Sequence, residues 1–459
     1  MMKRHSLLIL ACLLCISLLA GCAGDTKLEE RPVSGVQEDS GQITVRYFGS
    51  DGYRLIKDYN YFAPKTDKAV ILETPVADYE DESGKQQFLE LLTQETADVY
   101  LFSTDYMGIF YSLLNNGMFA DLNPLIEESS LNLDNYQSMV MDTGVSGSKR
   151  LFLPVSYRVN MFTTTTQRLE EFGLQPSEIR LSYDNWEQTA QLLLRAFPTE
   201  QASVLSGSYS IFREMICANY LEELEKRSNF LTGQFAREVE SYREYLKSCP
   251  ETKPSDDLAW MNAFSSGKEE SAKAPSSSKE ELTLVGQMFD GNPSTAASLV
   301  RSARRDNGKE ARFFAIKDSG ADTYSAYANS LFAINKKCEN PQLAFEIAQF
   351  LLSEEYQRGD YFSNFECHLG GLPVHTSAAR QMFETSKKET LLKGDQMVGL
   401  LEDYQGIIKN TESCGLFADT RFVDRIFDPL FEDYCKELMG TDTFCKRLDG
   451  MAELFLLER

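Results

Sequence analysis

The stretch ADVYLFSTDYMGIFYSLLNNG, residues 97–117, predicts the fold class of this chain. It begins with six residues, ADVYLF, that read as apolar on both faces, as is typical of a strand buried in a parallel sheet. After a short polar loop, apolar residues recur at helical spacing from Met107 to Leu114, and Gly117 ends the helix. Strand, loop and helix make up the unit of α/β proteins, in which ligands bind at the carboxyl ends of strands.

The rest of the 459-residue chain interleaves strands and helices in the same way. Strands are predicted at 43–49, 282–289 and 330–335, extended chain at 151–166, and helices at 86–95, at 184–197 with Asp184 as N-cap, over most of 211–247, from Pro341 with Asn340 as N-cap, and over most of the chain from about 377. The chain is long enough for two lobes with cores of their own. We therefore predict an α/β protein with two lobes around a cleft.

The charge of the chain limits its partners. The 46 Lys and Arg residues are outnumbered by 69 Asp and Glu residues, which gives a formal net charge of −23 at pH 7. Nucleic-acid binding requires a basic surface, so this class of partner is excluded. Strong acidity instead favours a soluble protein that does not stick to its neighbours.

The first 22 residues have the pattern of a lipoprotein signal. Lys3 and Arg4 precede an apolar run that is shorter than the roughly 20 residues of a spanning helix. The run ends in Leu-Ala-Gly-Cys at 19–22, which resembles the bacterial lipobox and predicts a signal peptide at 1–21 and lipidation of Cys22. Residues 22–42 then form a flexible tether, and the protein is anchored at the cell membrane, facing the extracellular side or the periplasm. An ordinary signal peptide with an incidental cysteine is the alternative.

Cysteine spacing leaves the redox state open. Outside the cytoplasm some of the remaining thiols can pair, and mostly free, buried thiols are equally compatible with the sequence. The seven cysteines concerned are Cys217, Cys249, Cys338, Cys367, Cys414, Cys435 and Cys445.

Segments along nearly the whole mature chain carry a family resemblance. They are ITVRYFG at 43–49, residues 97–128, LFLPVSYRVNMFT at 151–163, YDNWEQTAQLL at 183–193, FSSGKEE at 264–270, residues 326–357 and GGLPVHTSA at 370–378. In this order they resemble the extracellular solute-binding proteins of ABC importers, the group that includes maltose-binding protein. The resemblance implies the two-lobed, periplasmic-binding-protein-like fold of type II, with a ligand cleft between the lobes.

What the family does follows from the same resemblance. It implies a monomeric, membrane-anchored receptor that binds a sugar or oligosaccharide, closes by hinge motion and delivers the solute to ABC permease subunits, without catalysis, cofactor or metal. The resemblance also divides the chain into a first lobe, 43–154 with about 290–328, and a second lobe, 155–289 with 329–459.

Ligand-binding candidates come from loops at strand ends and from the crossovers, by their position in the family. They are Asp51, Ser103, Asp105, Tyr157, Arg158, Tyr209, Gln287, Phe289, Tyr327 and Phe427. Alternatives stay open at several of these positions. Asp105 can cap the helix that follows, Arg158 can form a structural ion pair, and the aromatic rings can belong to the core. Trp186 and Trp260 are predicted to be structural.

Other function classes are weighed against this reading. The mature chain has two histidines, His368 and His375, and neither a GxSxG nor an HExxH motif, so common hydrolase and metalloprotease signatures are missing from the sequence. A surface glycoside hydrolase remains an alternative because carboxylate pairs are abundant. A receptor for a non-sugar solute and a ligand-sensing lipoprotein are the other two alternatives.

Overall fold

The computed structural model describes residues 42–63, 69–72, 96–171, 173–175, 178–188, 191–192, 208–248, 287–289, 296, 299–300, 310–361, 369–391 and 398–458. By its contacts the chain divides into two units, residues 1–40 and 41–459, and the described residues all belong to the second. Several predicted features lie outside the described residues: the signal peptide, Cys22 and most of the tether, the helix at 86–95, the FSSGKEE segment, Trp260, Cys249, Cys367 and His368.

The described strands and helices are numbered here in chain order. The strands are β1 Thr44–Phe48, β2 Val70–Leu72, β3 Val99–Phe102, β4 Val145–Ser146, β5 Lys149–Arg150, β6 Leu153–Pro154, β7 Ser156–Arg158, β8 Met161–Thr165, β9 Leu221–Glu222, β10 Arg227–Ser228, β11 Gln287–Phe289, β12 Ala311–Ala315, β13 Tyr324–Ala328, β14 Leu331–Ile334, β15 Leu372–Pro373 and β16 Thr411–Gly415. The helices are α1 Gly49–Phe62, α2 Met107–Asn115, α3 Asn123–Glu127, α4 Ser138–Met141, α5 Thr166–Glu171, α6 Ser208–Tyr220, α7 Gly233–Ser248, α8 Pro341–Leu351, α9 Glu354–Arg358, α10 Thr376–Leu391, α11 Val398–Lys409, α12 Thr420–Phe422, α13 Asp428–Cys435 and α14 Thr441–Leu457.

A five-stranded sheet in the order β2-β1-β3-β14-β6 forms the centre of the first lobe. β1 runs parallel to β2 and β3, and its last residue, Phe48, pairs with Phe102 at the end of β3. All four residues of β3 are buried, as the apolar pattern of 97–102 predicts. The helix predicted after it is α2, and Gly117, with φ of 60°, lies just beyond its end. The carboxyl ends of β1 and β3 therefore lie side by side.

The extended segment 151–166 connects three sheets, as a crossover should. Its strands β6, β7 and β8 belong to the first sheet, to the sheet β15-β7-β13-β16 and to the sheet β11-β8-β12. A second extended segment, 311–334, runs beside it in the opposite direction, because β12, β13 and β14 pair antiparallel with β8, β7 and β6. Two adjacent, oppositely directed segments thus connect the lobes.

Three strands pair across the predicted division into lobes, one of them β13, which pairs with β7. The sequence division placed β12 in the first lobe and β8 in the second, yet these strands pair over five residues. It also placed β14 in the second lobe, yet β14 pairs with β3 along its whole length. The division into lobes remains a proposal, now with β12 in the second lobe and β14 in the first.

The helix predictions need two corrections. The helical region 211–247 consists of α6 and α7, separated by the short β9-β10 hairpin. The helix predicted at 184–197 begins at Trp186, so Asn185 and not Asp184 precedes its first residue. Asp184 instead accepts a hydrogen bond from Ser182 Oγ at 2.6 Å. α8 begins directly after Asn340, as predicted, although the Asn340 side chain makes no capping hydrogen bond.

Aromatic residues fill the core of the second lobe. The Trp186 ring is buried and packs edge-on against Tyr242 at a centroid distance of 5.0 Å, in agreement with the structural role predicted for it. Helices α12 and α13 are joined by one π-helical turn, Val423–Phe427, so the chain from Thr420 to Cys435 is continuously helical. Within the described part of the chain, no helix is long and apolar enough to cross a membrane.

The cysteines that the structure describes are all free thiols. They are Cys217, Cys338, Cys414, Cys435 and Cys445. Burial raises the pKa of the Cys338, Cys414 and Cys435 thiols to about 12. Such thiols stay protonated at neutral pH. The unpaired alternative is the one observed for these five, of which Cys217 and Cys445 are buried and the other three are partly exposed.

Candidate functional site

The carboxyl ends of β1 and β3 carry two neighbouring carboxylates. Asp51 lies in the first turn of α1, directly after β1, and the exposed Asp105 lies in the 3₁₀ turn Thr104–Tyr106 that follows β3. Burial raises the pKa of Asp51, Arg54 opposes this shift, and the negative charge of Asp105 adds to it. The two carboxylates therefore lie at the same edge of the sheet.

Ser103 connects the two strand ends instead of projecting into solvent. It is buried, and its hydroxyl donates to the Phe48 carbonyl oxygen at 2.8 Å. Its backbone N–H donates to the same oxygen at 2.9 Å. The space beside it is filled because a Cβ on Gly49 would lie 1.7 Å from Ser103 Oγ. This residue aligns the loops that carry Asp51 and Asp105.

A glycine turn at Gly370 positions Asp51. Gly370 has φ of 65°, and a Cβ at this position would lie 2.5 Å from Asp51 Oδ2. Asn329, at the end of β13, donates to the Gly370 carbonyl oxygen at 3.0 Å and also hydrogen-bonds Asp51. Asp51 is therefore in close contact with two segments that are distant in sequence.

Arg158, at the end of β7, lies within electrostatic range of Asp51. Its guanidinium lies over the Phe417 ring, with Cζ 4.1 Å from the centroid. Its Nη2 atom is 3.7 Å from Glu214 Oε2 on α6. Burial raises the pKa of Glu214. The positive charge of Arg158 opposes this rise, and the negative charge of Asp105 adds to it. An ion pair, the alternative given for Arg158 beside ligand binding, is therefore present.

Two predicted tyrosines lie behind these groups. Tyr157 precedes Arg158 in β7 and is fully buried, and burial raises its pKa. Tyr327, in β13, is also buried; its ring lies 4.9 Å from Phe417, and its hydroxyl donates to Asn219 Oδ1 at 2.7 Å. Both tyrosines support the site from its interior side, so neither presents an accessible ring to a solute here.

Tyr209 and Phe427 belong to the core of the second lobe, which corrects their prediction as pocket aromatics. Both rings have 0% exposure. The Tyr209 hydroxyl donates to Asp428 Oδ1 at 2.8 Å, and the Phe427 ring stacks on Phe431 at 5.3 Å. Their spacing in the sequence is compatible with core packing or with a pocket. Their contacts with α7 and α13 show that they belong to the core.

The other sequence candidates are placed less completely. The backbone of Gln287 and Phe289 belongs to β11, which pairs with β8, and their side chains lie outside the described part of the structure. His375 is buried and accepts from the Ala378 N–H at 3.3 Å, and its desolvation lowers its pKa. Within the described ranges, no three His, Cys, Asp or Glu side chains are arranged to hold a metal ion.

Sequence reasoning missed three residues of this site. They are Glu214, Phe417 and Asn329. A signal for Glu214 was present, because Arg213 and Glu214 interrupt the apolar residues of the helix sequence SYSIFREMICANY. Phe417 and Asn329 lie in short connections whose neighbours are set by tertiary packing, so local patterns do not distinguish them.

No protein-family model matches the chain, and no curated protein matches it in sequence. Solved structures do match. The sugar-binding protein MalE from Xanthomonas citri matches 91% of this chain and 98% of its own, with 12% identity and a TM-score of 0.60. The cyclic alpha-maltosyl-1,6-maltose binding protein from Arthrobacter globiformis matches 91% and 99%, with 13% identity and a TM-score of 0.58. UgpB from Mycobacterium tuberculosis, solved with glycerophosphocholine, matches 92% and 99%, with 14% identity and a TM-score of 0.58.

These matches extend over nearly the whole of each solved chain, so the likeness concerns the complete architecture. At this level of identity it is a likeness of fold. Together with the paired crossover strands and the mixed α/β sheets, it shows that this chain has the two-lobed type II periplasmic-binding-protein fold, whose ligand cleft lies between the lobes.

Proposed function

We propose that this protein is the substrate-binding component of an ABC importer, which captures an extracellular sugar or oligosaccharide and delivers it to a permease. One observation carries the proposal. Asp51 and Asp105 lie at adjacent strand ends, and Arg158, stacked on Phe417 and paired with Glu214, lies within electrostatic range of Asp51, while Asp105 lies within electrostatic range of Glu214. Planar charged groups form paired hydrogen bonds with neighbouring sugar hydroxyls, and the carboxylates add further acceptors.

The fold supports a binding role and not catalysis. Its solved neighbours are binding proteins by their printed names, among them sugar-binding and maltosyl-maltose-binding proteins. In such a protein two lobes close on the solute, and closure is driven by the higher affinity of the closed state. No cofactor or metal takes part in this proposal. Lipidation at Cys22 would keep the monomeric receptor beside its permease at the cell surface.

A ligand screen tests the proposal directly. Mature protein, residues 23–459, is heated with mono- and oligosaccharides, peptides and polyamines, and with glycerophosphocholine, the molecule bound in one neighbour. A ligand at 100 times its Kd adds about 2.7 kcal/mol to the free energy of unfolding, which raises the melting temperature clearly. We expect a sugar or oligosaccharide to give this rise and to be recovered unchanged. A response confined to non-sugars, or cleavage of the sugar, would contradict the proposal.

Replacing Asp105 tests whether the sugar binds at this site. We expect Asp105→Ala to weaken sugar binding roughly tenfold or more, because a hydrogen bond to a charged group contributes about 1.5–3 kcal/mol. Asp134 is a matched control, since it is also exposed and also occupies the middle of a 3₁₀ turn, Leu133–Asn135. Calorimetric titration should show the loss for Asp105→Ala only. Equal affinities of the two variants would remove Asp105 from the site.

A further inference from the structure

A second, separate feature of the molecule is a polar cavity of about 410 Å³. Its walls come from the end of α6, the start of α7, the loop after β12 and strands β13 and β16. Tyr327 separates it from the site described above: the ring packs beside Phe417, and the hydroxyl donates to Asn219 in the cavity wall. Cavities of roughly 300–1,000 Å³ are the usual size of small-molecule sites.

The described residues of the cavity wall carry acidic and neutral polar side chains but no basic ones. The eleven described residues that line the cavity provide two carboxylates, three carboxamides and six hydroxyl groups, and none of these residues is Lys, Arg or His. Glu238 is the deeper of the two acids, with 2% exposure. It accepts hydrogen bonds from Tyr220 Oη at 2.9 Å, from Gln234 Nε2 at 3.1 Å and from Ser319 Oγ. A buried carboxylate is therefore held in place by three protein donors.

Asp318 is the second acid and is closer to solvent. Its Oδ1 accepts from Ser325 Oγ at 2.6 Å, and its Oδ2 accepts from Thr323 Oγ1 at 3.1 Å. An ionised carboxylate has about four acceptor positions, so these two bonds leave capacity on both oxygens. The exposed hydroxyls of Ser325 and Ser413, 2.8 Å apart, lie beside it. The cavity thus offers a surplus of acceptors and negative charge to a ligand that enters past these serines.

A ligand must complement that surplus. An ammonium group is a donor only, with three N–H bonds, and it compensates the charge of a carboxylate in a partly desolvated site. Hydroxyl groups both donate and accept, which suits the amides and serines of the wall. A bare metal ion fits less well, because the described residues bring no three metal-binding side chains together and the volume is much larger than one ion requires.

We propose that this cavity is a second binding site, for a small polyhydroxylated amine of the amino-sugar class, whose ammonium group pairs with Asp318 and Glu238. The proposal is independent of the function assigned to the other site, because the two sets of residues do not overlap.

Glucosamine is the probe, with glucose as its neutral counterpart. Calorimetric titration of the mature protein at pH 6 should show glucosamine binding at least tenfold more tightly than glucose. Asp318→Asn should weaken glucosamine binding tenfold or more, since a charge-assisted hydrogen bond is lost. Asp322→Asn is the matched control, because Asp322 belongs to the same loop but is 96% exposed and pairs with Lys317 outside the cavity wall. It should leave the affinity unchanged.

Two further variants complete the test, one that blocks the cavity entrance and one in the first site. Ser413→Trp places a bulky side chain at an exposed strand position beside the entrance, so it should abolish glucosamine binding while the melting temperature of the free protein stays the same. Asp105→Ala should leave it intact. Absence of glucosamine binding, equal binding of glucose, or binding that survives both Asp318→Asn and Ser413→Trp would overturn the proposal. So would loss of binding in Asp105→Ala, which would assign glucosamine to the first site.

Discussion

Replacing Arg213 by methionine should cost the protein much of its stability. Arg213 and Asp428 are 5% and 4% exposed and form an ion pair that connects α6 to α13. Asp428 also accepts the Tyr209 hydroxyl, and Arg213 Nη1 lies 2.9 Å from Asp424 Oδ1. Methionine keeps the apolar stem of the side chain but removes its charge. Asp428 would then be buried without its cationic partner and would keep the hydrogen bond from Tyr209. Breaking a buried pair in this way costs about 3–5 kcal/mol.

The loss should depend on pH with a definite sign. Burial raises the pKa of the Asp428 carboxyl, and Arg213 holds that rise back. Without Arg213 the native pKa rises further above the unfolded value, and the native state then binds a proton that the unfolded state lacks. Stability of the variant therefore falls as the pH increases through the raised native pKa. The deficit relative to wild type should be largest at pH 7 and should shrink towards pH 5.

Urea unfolding at pH 5 and pH 7 measures this deficit. The fluorescence of Trp186 is a suitable signal because that ring lies in the same aromatic core as Tyr209 and Tyr242. Arg227→Met serves as control, since Arg227 is 61% exposed and its pair with Glu222 should contribute less than about 1 kcal/mol. A deficit below about 1 kcal/mol for Arg213→Met, or one that does not change with pH, would refute the reasoning.

Two further predictions concern the first site and the thiols. Gly370→Ala and Gly147→Ala both place a side chain at positive φ, which costs about 1–2 kcal/mol, but a Cβ at Gly370 collides with Asp51 whereas Gly147 has nothing within 4 Å. Ligand titration should therefore show weaker binding for Gly370→Ala alone, and equal affinities would contradict the placement of Asp51. Burial raises the pKa of Cys414 from 9.0 to about 12, which lowers its thiolate fraction roughly a thousandfold at pH 8, so iodoacetamide should label it in urea and not in the native protein. Rapid native labelling would show that this thiol is accessible.

Local sequence patterns predicted the secondary structure well where an element depends mainly on its own residues. The apolar run 97–102 became a strand buried on both faces, and the helical spacing after Met107 became α2. The extended segment 151–166 became three strands in three sheets. Each of these features depends on periodicity or on β-branched and aromatic composition, which a window of ten residues already contains. The α/β fold class followed from their alternation.

The candidate site was predictable only in part. Asp51 and Asp105 follow strands that the pattern identified, and parallel strands bring such loops to one edge. Tyr209 and Phe427 show the limit of the same reasoning, because an aromatic residue at helical spacing has the same pattern in a core and in a pocket. Their complete burial was decided by packing against residues more than 30 positions away, such as Tyr242 for the Tyr209 ring.

The amino-acid sequence by itself determined the elements, their order and the acidic character of the protein, since these depend on neighbouring residues and on summed charge. The tertiary structure decided which strands pair across the crossovers, so that β14 joined β3 and β12 joined β8. It also brought Glu214 and Phe417 to Arg158 and formed the polar cavity beside Glu238. These strand pairings and the contacts of Arg158 join residues more than 50 positions apart. Their energies depend on mutual burial, which no single segment encodes.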